Sequence, residues 1–263
     1  MTLFFTYLLS GLLILFLMTI LWVVSLILRN ASIIDVFWGL GFVISDWFFF
    51  AFTPEGFFQR KILVSTLVTI WGLRLSLHIL LRNWGKPEDF RYHKWREEEG
   101  SSWWWKSLLR VFLLQGFLIW IISIPLLVGQ ISPSPSQFTW VDGLGLAVWM
   151  VGFFFEAAGD WQLKRFKSNP ENKGKVLSGG VWRYTRHPNY FGDAAQWWGY
   201  YLIAAATFSG WWTIYSPIIM TFFLIKISGV AMLEKSLVNS RDGYHEYINT
   251  TSSFLPWFPK KTK

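Results

Sequence analysis

The stretch from Ser178 to Trp198, SGGVWRYTRHPNYFGDAAQWW, concentrates side chains that can bind an anion and exchange hydrogen bonds. Arginine presents a planar fork of donors that suits phosphate oxygens, and Arg183 and Arg186 supply two such forks. Pro188 is expected to begin a helix, and the amino terminus of a helix favours an anion. The stretch therefore predicts a binding corner for a phosphate-bearing ligand.

Carboxylates on both sides of this corner could accept hydrogen bonds from ribose hydroxyls or from a carboxamide. Glu156 and Asp160 are four residues apart and so share one face of a helix, and Asp193 follows the corner. Simpler explanations cover part of the pattern. Basic residues accumulate on the cytoplasmic side of membrane proteins in any case, and Asn189 or Asp193 could cap a helix. Neither explanation accounts for His187 at the same place.

Several known site motifs do not occur in the sequence. It contains no G-x-x-x-x-G-K-[ST] phosphate loop, and Gly143, Gly145 and Gly152 do not match the dinucleotide fingerprint. No H-E-x-x-H pattern predicts a metal site, and the absence of cysteine excludes disulfides and thiolate ligands. A nucleotide would therefore have to bind between membrane helices rather than in a Rossmann domain, and no metal ion is expected.

The composition predicts those membrane helices. Hydrophobic residues make up 53% of the 263 residues, and 19 tryptophans suffice for belts at both membrane interfaces. Apolar runs of bilayer length recur along the whole chain, which predicts an all-α polytopic membrane protein in a single domain, 1–263. Seven transmembrane helices are expected, at 3–28, 33–52, 61–81, 108–130, 140–163, 190–208 and 211–233.

The basic residues predict the orientation of these helices. They are dense in the connections 82–106 and 164–189 and in the tail, but absent from the 131–139 loop. Because basic loops stay on the cytoplasmic side, seven spans place the N-terminus outside and the C-terminus in the cytoplasm. The pair Arg60 and Lys61 is the exception, since it falls at the outer end of the third span.

Ionisable residues inside apolar spans are costly and by default face the interior of the helix bundle. Arg74 and His78 share one face of the third span, and Asp35 lies in the second. Either a functional role or buried ion pairing is compatible with each of them. The connection that follows the third span carries Tyr92, and it reads either as a cap over a cytoplasmic cavity or as a solvated surface loop.

Seven segments of the chain carry a family resemblance: SIIDVFWGLGF (32–42), TIWGLRLSLHILLR (69–82), EDFRY (88–92), EAAGDWQLKRFK (156–167), WRYTRHPNYFGD (182–193), SGVAMLEK (228–235) and YHEYINTTSSFLPWFPK (244–260). In these segments the chain resembles the steroid 5α-reductase-like membrane family, in particular its bacterial branch, over nearly its whole length. The element RHPNY is less specific than the others, because membrane methyltransferases that act on isoprenylcysteine or lipids carry a similar element and bind S-adenosylmethionine.

The resemblance implies a seven-helix membrane fold that holds NADPH at its cytoplasmic side. It also implies reduction of a carbon–carbon double bond conjugated to a ketone in a hydrophobic, steroid-like or lipid-like substrate. We expect the substrate to bind among the helices of 1–130 and the cofactor among those of 140–263. This chain has Asp193 where the family more often has glutamate. The cofactor-contacting residues so implied are Glu156, Asp160, Lys167, Arg183, Arg186, His187, Asn189, Tyr190 and Asp193.

The group that polarises the substrate ketone is left open among four candidates. Arg74, His78 and Tyr92 belong to the family-like WGLRL and RY elements, and Asp35 could also donate a hydrogen bond if it is protonated. None of the four is preferred on the sequence alone.

Two other classes of protein also remain open. One is an S-adenosylmethionine-dependent membrane methyltransferase, and the other is a non-catalytic transporter or scaffold whose intramembrane charges line a pathway. For the reductase we expect a hydrophobic substrate from the bilayer, contact with membrane lipids, no nucleic acid, and a place in a bacterial inner membrane rather than the endoplasmic reticulum. The sequence predicts neither the physiological substrate nor the oligomeric state.

Overall fold

The computed structural model describes residues 2–227, 230, 234 and 243–260, and every regular element in them is helical. A helix satisfies its backbone hydrogen bonds within one segment, as a lipid environment requires. The all-α prediction is confirmed for these residues. In chain order the α-helices are α1 (Leu3–Leu28), α2 (Ile33–Phe52), α3 (Phe58–Asn83), α4 (Phe90–Glu99), α5 (Trp103–Ser107), α6 (Leu114–Ile122), α7 (Ile124–Ile131), α8 (Trp140–Ser168), α9 (Pro188–Ala205), α10 (Tyr215–Phe222) and α11 (Tyr244–Thr250).

Five helical stretches in the described residues are long and apolar enough to cross a membrane: α1, α2, α3, the run Phe90–Ile131 that contains α4 to α7, and α8. The chain is therefore a multi-pass integral membrane protein. The predicted spans at 190–208 and 211–233 are not among the five. Helix α9 carries many polar residues, Trp211–Ile227 is shorter, and 228, 229 and 231–233 lie outside the described residues. The count of seven and the orientation stay predictions.

The fourth stretch departs most from its predicted bounds of 108–130, because its helical structure begins at Phe90. The side chain of Asp89 caps α4 by accepting a hydrogen bond from the backbone nitrogen of Arg91 at 3.0 Å. Further along, Leu108–Leu113 forms a π-helical turn, a rare element that often accompanies functional sites. Pro125 lies in the first turn of α7, where its missing N–H costs no helical hydrogen bond.

The chain folds as two compact units. Unit 1 comprises Met1–Thr139 with Ala204–Thr213, and unit 2 comprises Trp140–Ile203 with Ile214–Lys263. The expected assignment of substrate binding to 1–130 and of cofactor binding to 140–263 stays a prediction.

In unit 1, the basic pair at the start of α3 serves a local purpose. The ammonium group of Lys61 donates to the backbone carbonyls of Phe50 at 2.9 Å and Thr53 at 2.7 Å. These carbonyls lie at the carboxyl end of α2, where helical partners run out and a cation is favoured. The buried guanidinium of Arg60 donates to the carbonyl of Pro135 at 3.3 Å. Both residues hold the helix ends and the loop, which explains why they depart from the charge bias of the other connections.

Unit 2 is organised by a close antiparallel contact between α8 and α9. Gly145, Gly152 and Gly159 are spaced by seven residues, or about two helical turns, and so lie along one face of α8. A Cβ atom at Gly145 would lie 2.8 Å from the carbonyl oxygen of Gly199, and one at Gly152 would lie 2.6 Å from that of Gly192. Small residues allow membrane helices to approach this closely.

We expect Gly152→Ala to destabilise the protein by about 1–3 kcal/mol, because the added methyl group would overlap a backbone carbonyl that cannot rotate away. The measurement is thermal unfolding of the detergent-purified protein. Gly143→Ala is the matched control, since it lies on the same helix with no atom of the described residues within 4 Å of the added Cβ. The control should be neutral or gain up to about 1 kcal/mol from helix propensity. Equal losses for the two variants would contradict this account of the contact.

Candidate functional site

A row of paired polar side chains follows the α8–α9 contact. The amide of Asn189 donates to Asp160 Oδ1 at 3.3 Å, and the amide of Gln196 donates to Glu156 Oε2 at 2.6 Å. Asn189 and Gln196 are seven residues apart on α9, and Asp160 and Glu156 are four apart on α8, so each pair falls on facing surfaces. The close approach of the backbones makes these short side chains sufficient to reach across.

The side chains of this row are mostly buried and rich in acceptor atoms. Glu156 is 3% exposed, and Asp160 and Asp193 are also buried. Buried carboxylates must be hydrogen-bonded or otherwise compensated, and their oxygens accept readily from hydroxyl and amide groups. The expected cofactor residues Glu156, Asp160, Asn189 and Asp193 thus lie within one helix pair. Gln196, which sequence reasoning missed, completes the row three residues beyond Asp193.

Arg186 is the centre of the corner that precedes α9. Its guanidinium donates from Nε to Glu234 Oε1 at 2.8 Å, and from Nη1 to the carbonyl of Ile248 at 3.1 Å and to that of Thr251. Its backbone nitrogen donates to the carbonyl of Ser252 at 2.9 Å. The side chain is buried, so these bonds hold the C-terminal segment of the chain against the corner.

His187 shares this arrangement. Its Nε2 lies 3.3 Å from the same Glu234 oxygen, and its ring stacks on Tyr190 with 5.7 Å between ring centres. Glu234 therefore bridges the two residues of the RH pair. Sequence reasoning placed both residues at a ligand and did not identify Glu234, because a carboxylate 47 residues away carries no local signal.

The C-terminal segment completes the corner through its backbone. Thr185 Oγ1 donates to the carbonyl of Phe254 at 2.9 Å, and the backbone nitrogen of Trp257 donates to the carbonyl of Tyr184 at 2.9 Å. The hydroxyl of Tyr247 donates to the carbonyl of Trp182. The Trp257 side chain itself is 73% exposed. The hydrogen bonds between the C-terminal segment and the corner use backbone groups, which every residue possesses.

The remaining expected cofactor residues are two exposed cations. Lys167 lies in the last turn of α8, and Arg183 lies in the 3₁₀ turn Gly180–Arg183. Their exposure leaves long side chains able to reach a charged ligand at the surface of unit 2.

The pKa values of Glu234, Tyr244 and Tyr247 differ from their ordinary values. Hydrogen bonds from His187 and Arg186 lower the pKa of Glu234 below its ordinary value of 4.5. Burial and the negative charge of Glu234 raise the pKa of Tyr244 to about 12. Burial also raises the pKa of Tyr247. Glu234 is thus a carboxylate in the folded protein at neutral pH, and both tyrosines are protonated.

Unit 1 holds a second polar cluster, built from α2, α4 and α6. The hydroxyl of Tyr92 donates to Asp35 Oδ1 at 2.6 Å and accepts from the amide of Gln115 at 3.3 Å. Arg91 Nη2 donates to Asp35 Oδ2 at 3.0 Å, and its Nε donates to Asp89 Oδ1 at 2.9 Å. Burial alone would raise the pKa of Asp89, but the Arg91 bonds outweigh it and the pKa is lowered.

Two of the four expected catalytic residues thus share one cluster. Asp35 and Tyr92 are hydrogen-bonded to each other, whereas Arg74 and His78 lie one turn apart on α3, both half-buried. The sequence does not identify Gln115 as a site residue, because a glutamine in an apolar helix does not indicate which side chain it will contact.

The fold and the site together define the class of protein. It is a multi-pass helical membrane protein with a buried row of carboxylate–amide pairs beside a basic corner. The chain belongs to the family described as "Protein of unknown function (DUF1295)", whose sequence pattern matches residues 21–251 and which is the steroid 5α-reductase-like family. The resemblance stated from the sequence is confirmed.

Three individual proteins illustrate the relationship. An uncharacterized protein of Schizosaccharomyces pombe is 25% identical over 78% of this chain and 67% of its own length. The 3-oxo-5-alpha-steroid 4-dehydrogenase 1 of Bos taurus is 33% identical over 26% of each chain. A probable O-methyltransferase of Ustilaginoidea virens is 44% identical over 18% of this chain and 16% of its own. The matches thus cover only 26% and 16% of the latter two proteins. No solved structure matches the chain.

We expect Glu234→Gln to remove part of the acid sensitivity of the fold. Because the folded-state pKa of Glu234 is lowered, its contribution to stability is complete above pH 4.5 and is lost as the pH falls through the lowered value. At neutral pH the variant should lose about 1.5–3 kcal/mol, the range for hydrogen bonds to charged groups. The measurement is the unfolding temperature between about pH 7 and pH 3.5.

The matched control is Glu246→Gln, an exposed glutamate on α11. Wild type and control should lose stability together on acidification, while Glu234→Gln should give a flatter curve. Three parallel curves would show that the Arg186–Glu234 pair contributes nothing to the fold.

Proposed function

We propose that this protein is an NADPH-dependent reductase of a carbon–carbon double bond conjugated to a ketone in a hydrophobic substrate taken from the bilayer. The observation that carries the proposal is the row Glu156, Asp160, Asn189 and Gln196 on one helix pair. The similarity to the bovine 3-oxo-5-alpha-steroid 4-dehydrogenase 1 supports a reductase of this type. We further propose a bacterial inner membrane as its location, with the cofactor corner facing the cytoplasm.

The chemistry of the side chains in unit 2 fits a dinucleotide phosphate. The buried acceptors Glu156, Asp160 and Asp193 suit ribose hydroxyls and amide N–H groups, while the exposed cations Lys167 and Arg183 suit phosphate oxygens. When bound, the cofactor would supply a hydride to the β-carbon of the enone, and a proton must reach the α-carbon for the reduction to balance. The residues of unit 2 bind and orient.

Arg186 takes a different part in this proposal from the one its sequence context indicates. Its Nε and Nη1 donate to Glu234 and to two backbone carbonyls, and its Nη2 lies 2.7 Å from Glu234 Oε1. We therefore assign Arg186 to positioning the corner and leave phosphate binding to Lys167 and Arg183. His187, held through the same carboxylate, orients Tyr190 by ring stacking.

In unit 1, we assign the polarisation of the substrate ketone to Tyr92. A phenol can donate to an oxygen on which negative charge develops, but it has a single O–H, which in this structure is donated to Asp35 at 2.6 Å. Polarising the ketone therefore requires the Tyr92 hydroxyl to turn its hydrogen from Asp35 to the substrate oxygen, while Gln115 continues to donate to that hydroxyl at 3.3 Å. Arg91 balances the charge of Asp35. Arg74 and His78 remain further candidates for the same task.

A methyltransferase is the second candidate function, favoured by the similarity to the probable O-methyltransferase of Ustilaginoidea virens. The experiment that separates the two measures thermal stabilisation of the detergent-purified protein by NADPH, NADH and S-adenosylmethionine. A ligand that binds only the native state raises its stability, by about 2.7 kcal/mol at one hundred times Kd. Stabilisation by S-adenosylmethionine alone would exclude the reductase, and no response to any of the three would favour a transporter or scaffold.

We expect Lys167→Gln and Arg183→Gln each to weaken NADPH binding by about tenfold, the loss of one charge-assisted hydrogen bond. Neither side chain is buried, so the unfolding temperature without ligand should not change. Arg165→Gln is the matched control, because this exposed arginine lies over the ring of Trp161 and is not assigned to the cofactor. A loss confined to NADPH would assign the side chain to the 2′-phosphate, and an equal loss for NADH to the pyrophosphate. Unchanged affinity in both variants would remove these residues from the site.

A further inference from the structure

Among the buried side-chain polar atoms of unit 2 that lack a hydrogen-bond partner within the described residues, two lie on facing helices. One is the indole Nε1 of Trp149, on α8, and the other is the side-chain Oε1 of Gln196, on α9. Trp149 is 5% exposed and Gln196 is fully buried. Leaving such an atom unsatisfied costs about 1–3 kcal/mol, and native proteins pair nearly all of them. The pair therefore offers one donor and one acceptor to a group outside the described residues.

The two side chains lie at the same level of the helix pair. A Cβ atom at Gly199 would be 2.8 Å from Trp149 Cβ, and one at Gly152 would be 2.9 Å from Gln196 Cγ. Trp149 and Gly152 are three residues apart on α8, and Gln196 and Gly199 are three apart on α9, so each pair shares one helix face. The indole and the amide consequently belong to facing turns.

The hydrogen bonds of Gln196 decide which of its atoms is available. Its Nε2 donates to Glu156 Oε2 at 2.6 Å and to the carbonyl of Gly192 at 3.2 Å. Two acceptors therefore fix the NH₂ end of the amide, and the carbonyl end is left to accept. Trp149 offers the opposite function, because an indole nitrogen can only donate.

The aromatic surroundings add a flat surface. The ring of Trp149 stacks on that of Phe153 at 5.0 Å with an interplanar angle of 11°. Parallel aromatic faces suit a planar heteroaromatic ring. A primary carboxamide on an aromatic ring is planar and offers both an acceptor and an N–H donor, so it matches the donor, the acceptor and the flat surface together.

We propose that Trp149 and Gln196 bind the carboxamide of the nicotinamide ring, a subsite that rests on the proposed reductase function and extends it. The indole Nε1–H donates to the carboxamide oxygen, and the carboxamide NH₂ donates to Gln196 Oε1. Two directional bonds of opposite sense fix which face of the ring is presented. Trp149 and Gln196 are thus binding residues that determine specificity for the nicotinamide end of the cofactor.

The test compares NADP⁺ with its acetylpyridine analogue, in which a methyl group replaces the carboxamide NH₂ while the carbonyl is kept. Equilibrium binding to the detergent-purified full-length protein is measured for both, so the readout does not depend on turnover. The analogue cannot donate to Gln196 Oε1. Wild type should therefore prefer NADP⁺ by about tenfold, the worth of one hydrogen bond to a buried acceptor.

Variants identify the two partners separately. Gln196→Met keeps the length of the side chain but removes the acceptor, so the preference for NADP⁺ should fall to about one. Trp149→Phe removes the donor to the carbonyl that both ligands share, so both should weaken by about tenfold with the preference retained. Lys167→Gln is the control, since a loss on the phosphate side should weaken both ligands and leave the preference unchanged.

Equal affinity of wild type for NADP⁺ and the analogue would overturn this subsite, as expected if buried water satisfied the two atoms, while the reductase proposal would stand. Failure of wild type to bind either dinucleotide would overturn both proposals. The comparison in wild type decides the outcome even if Gln196→Met does not fold.

Discussion

The close contact between α8 and α9 is the constraint on which the candidate site depends. Gly145 and Gly152 bring the backbones so near that a single methyl group would overlap a carbonyl oxygen of the facing helix. At this separation Asp160 reaches Asn189, and Glu156 reaches Gln196, with side chains of only two or three carbons. A wider spacing would leave buried carboxylates without donors, which costs more than the pairing stabilises. The small residues at the α8–α9 contact are therefore what allows the polar side chains of the row to pair.

The corner before α9 obtains its shape from a distant part of the chain. Arg186 ties Glu234 and the carbonyls of the C-terminal segment together, and His187 contacts the same carboxylate. A buried guanidinium that is fully engaged in this way is rigid, because each bond fixes the planar group in another direction. The family-like RHPNY element thus has a structural part, in Arg186, beside the binding part that we assign to neighbouring exposed cations.

The polar cluster of unit 1 follows the same physical rule. Asp35, Tyr92 and Gln115 come from three helices, and the hydroxyl of Tyr92 links the other two side chains by hydrogen bonds. Arg91 and Asp89 extend the network towards the loop before α4. In both units, charged residues lie in hydrogen-bonded sets, as expected because a buried charge without a partner is costly.

The sequence by itself determined the helical membrane class and the bounds of its first helices. The expected spans 3–28 and 33–52 coincide with α1 and α2, because the length of an apolar run is a local property that needs no tertiary partner. The tertiary structure alone decided that Gln196, Glu234 and Gln115 join the sites, and that Arg186 is occupied by the C-terminal segment. These pairings join residues up to 66 positions apart in the chain, from Arg186 to Ser252, often through backbone carbonyls. Residue type and spacing carry no information about such a contact, whose partner is chosen only when helices pack at a particular distance and rotation.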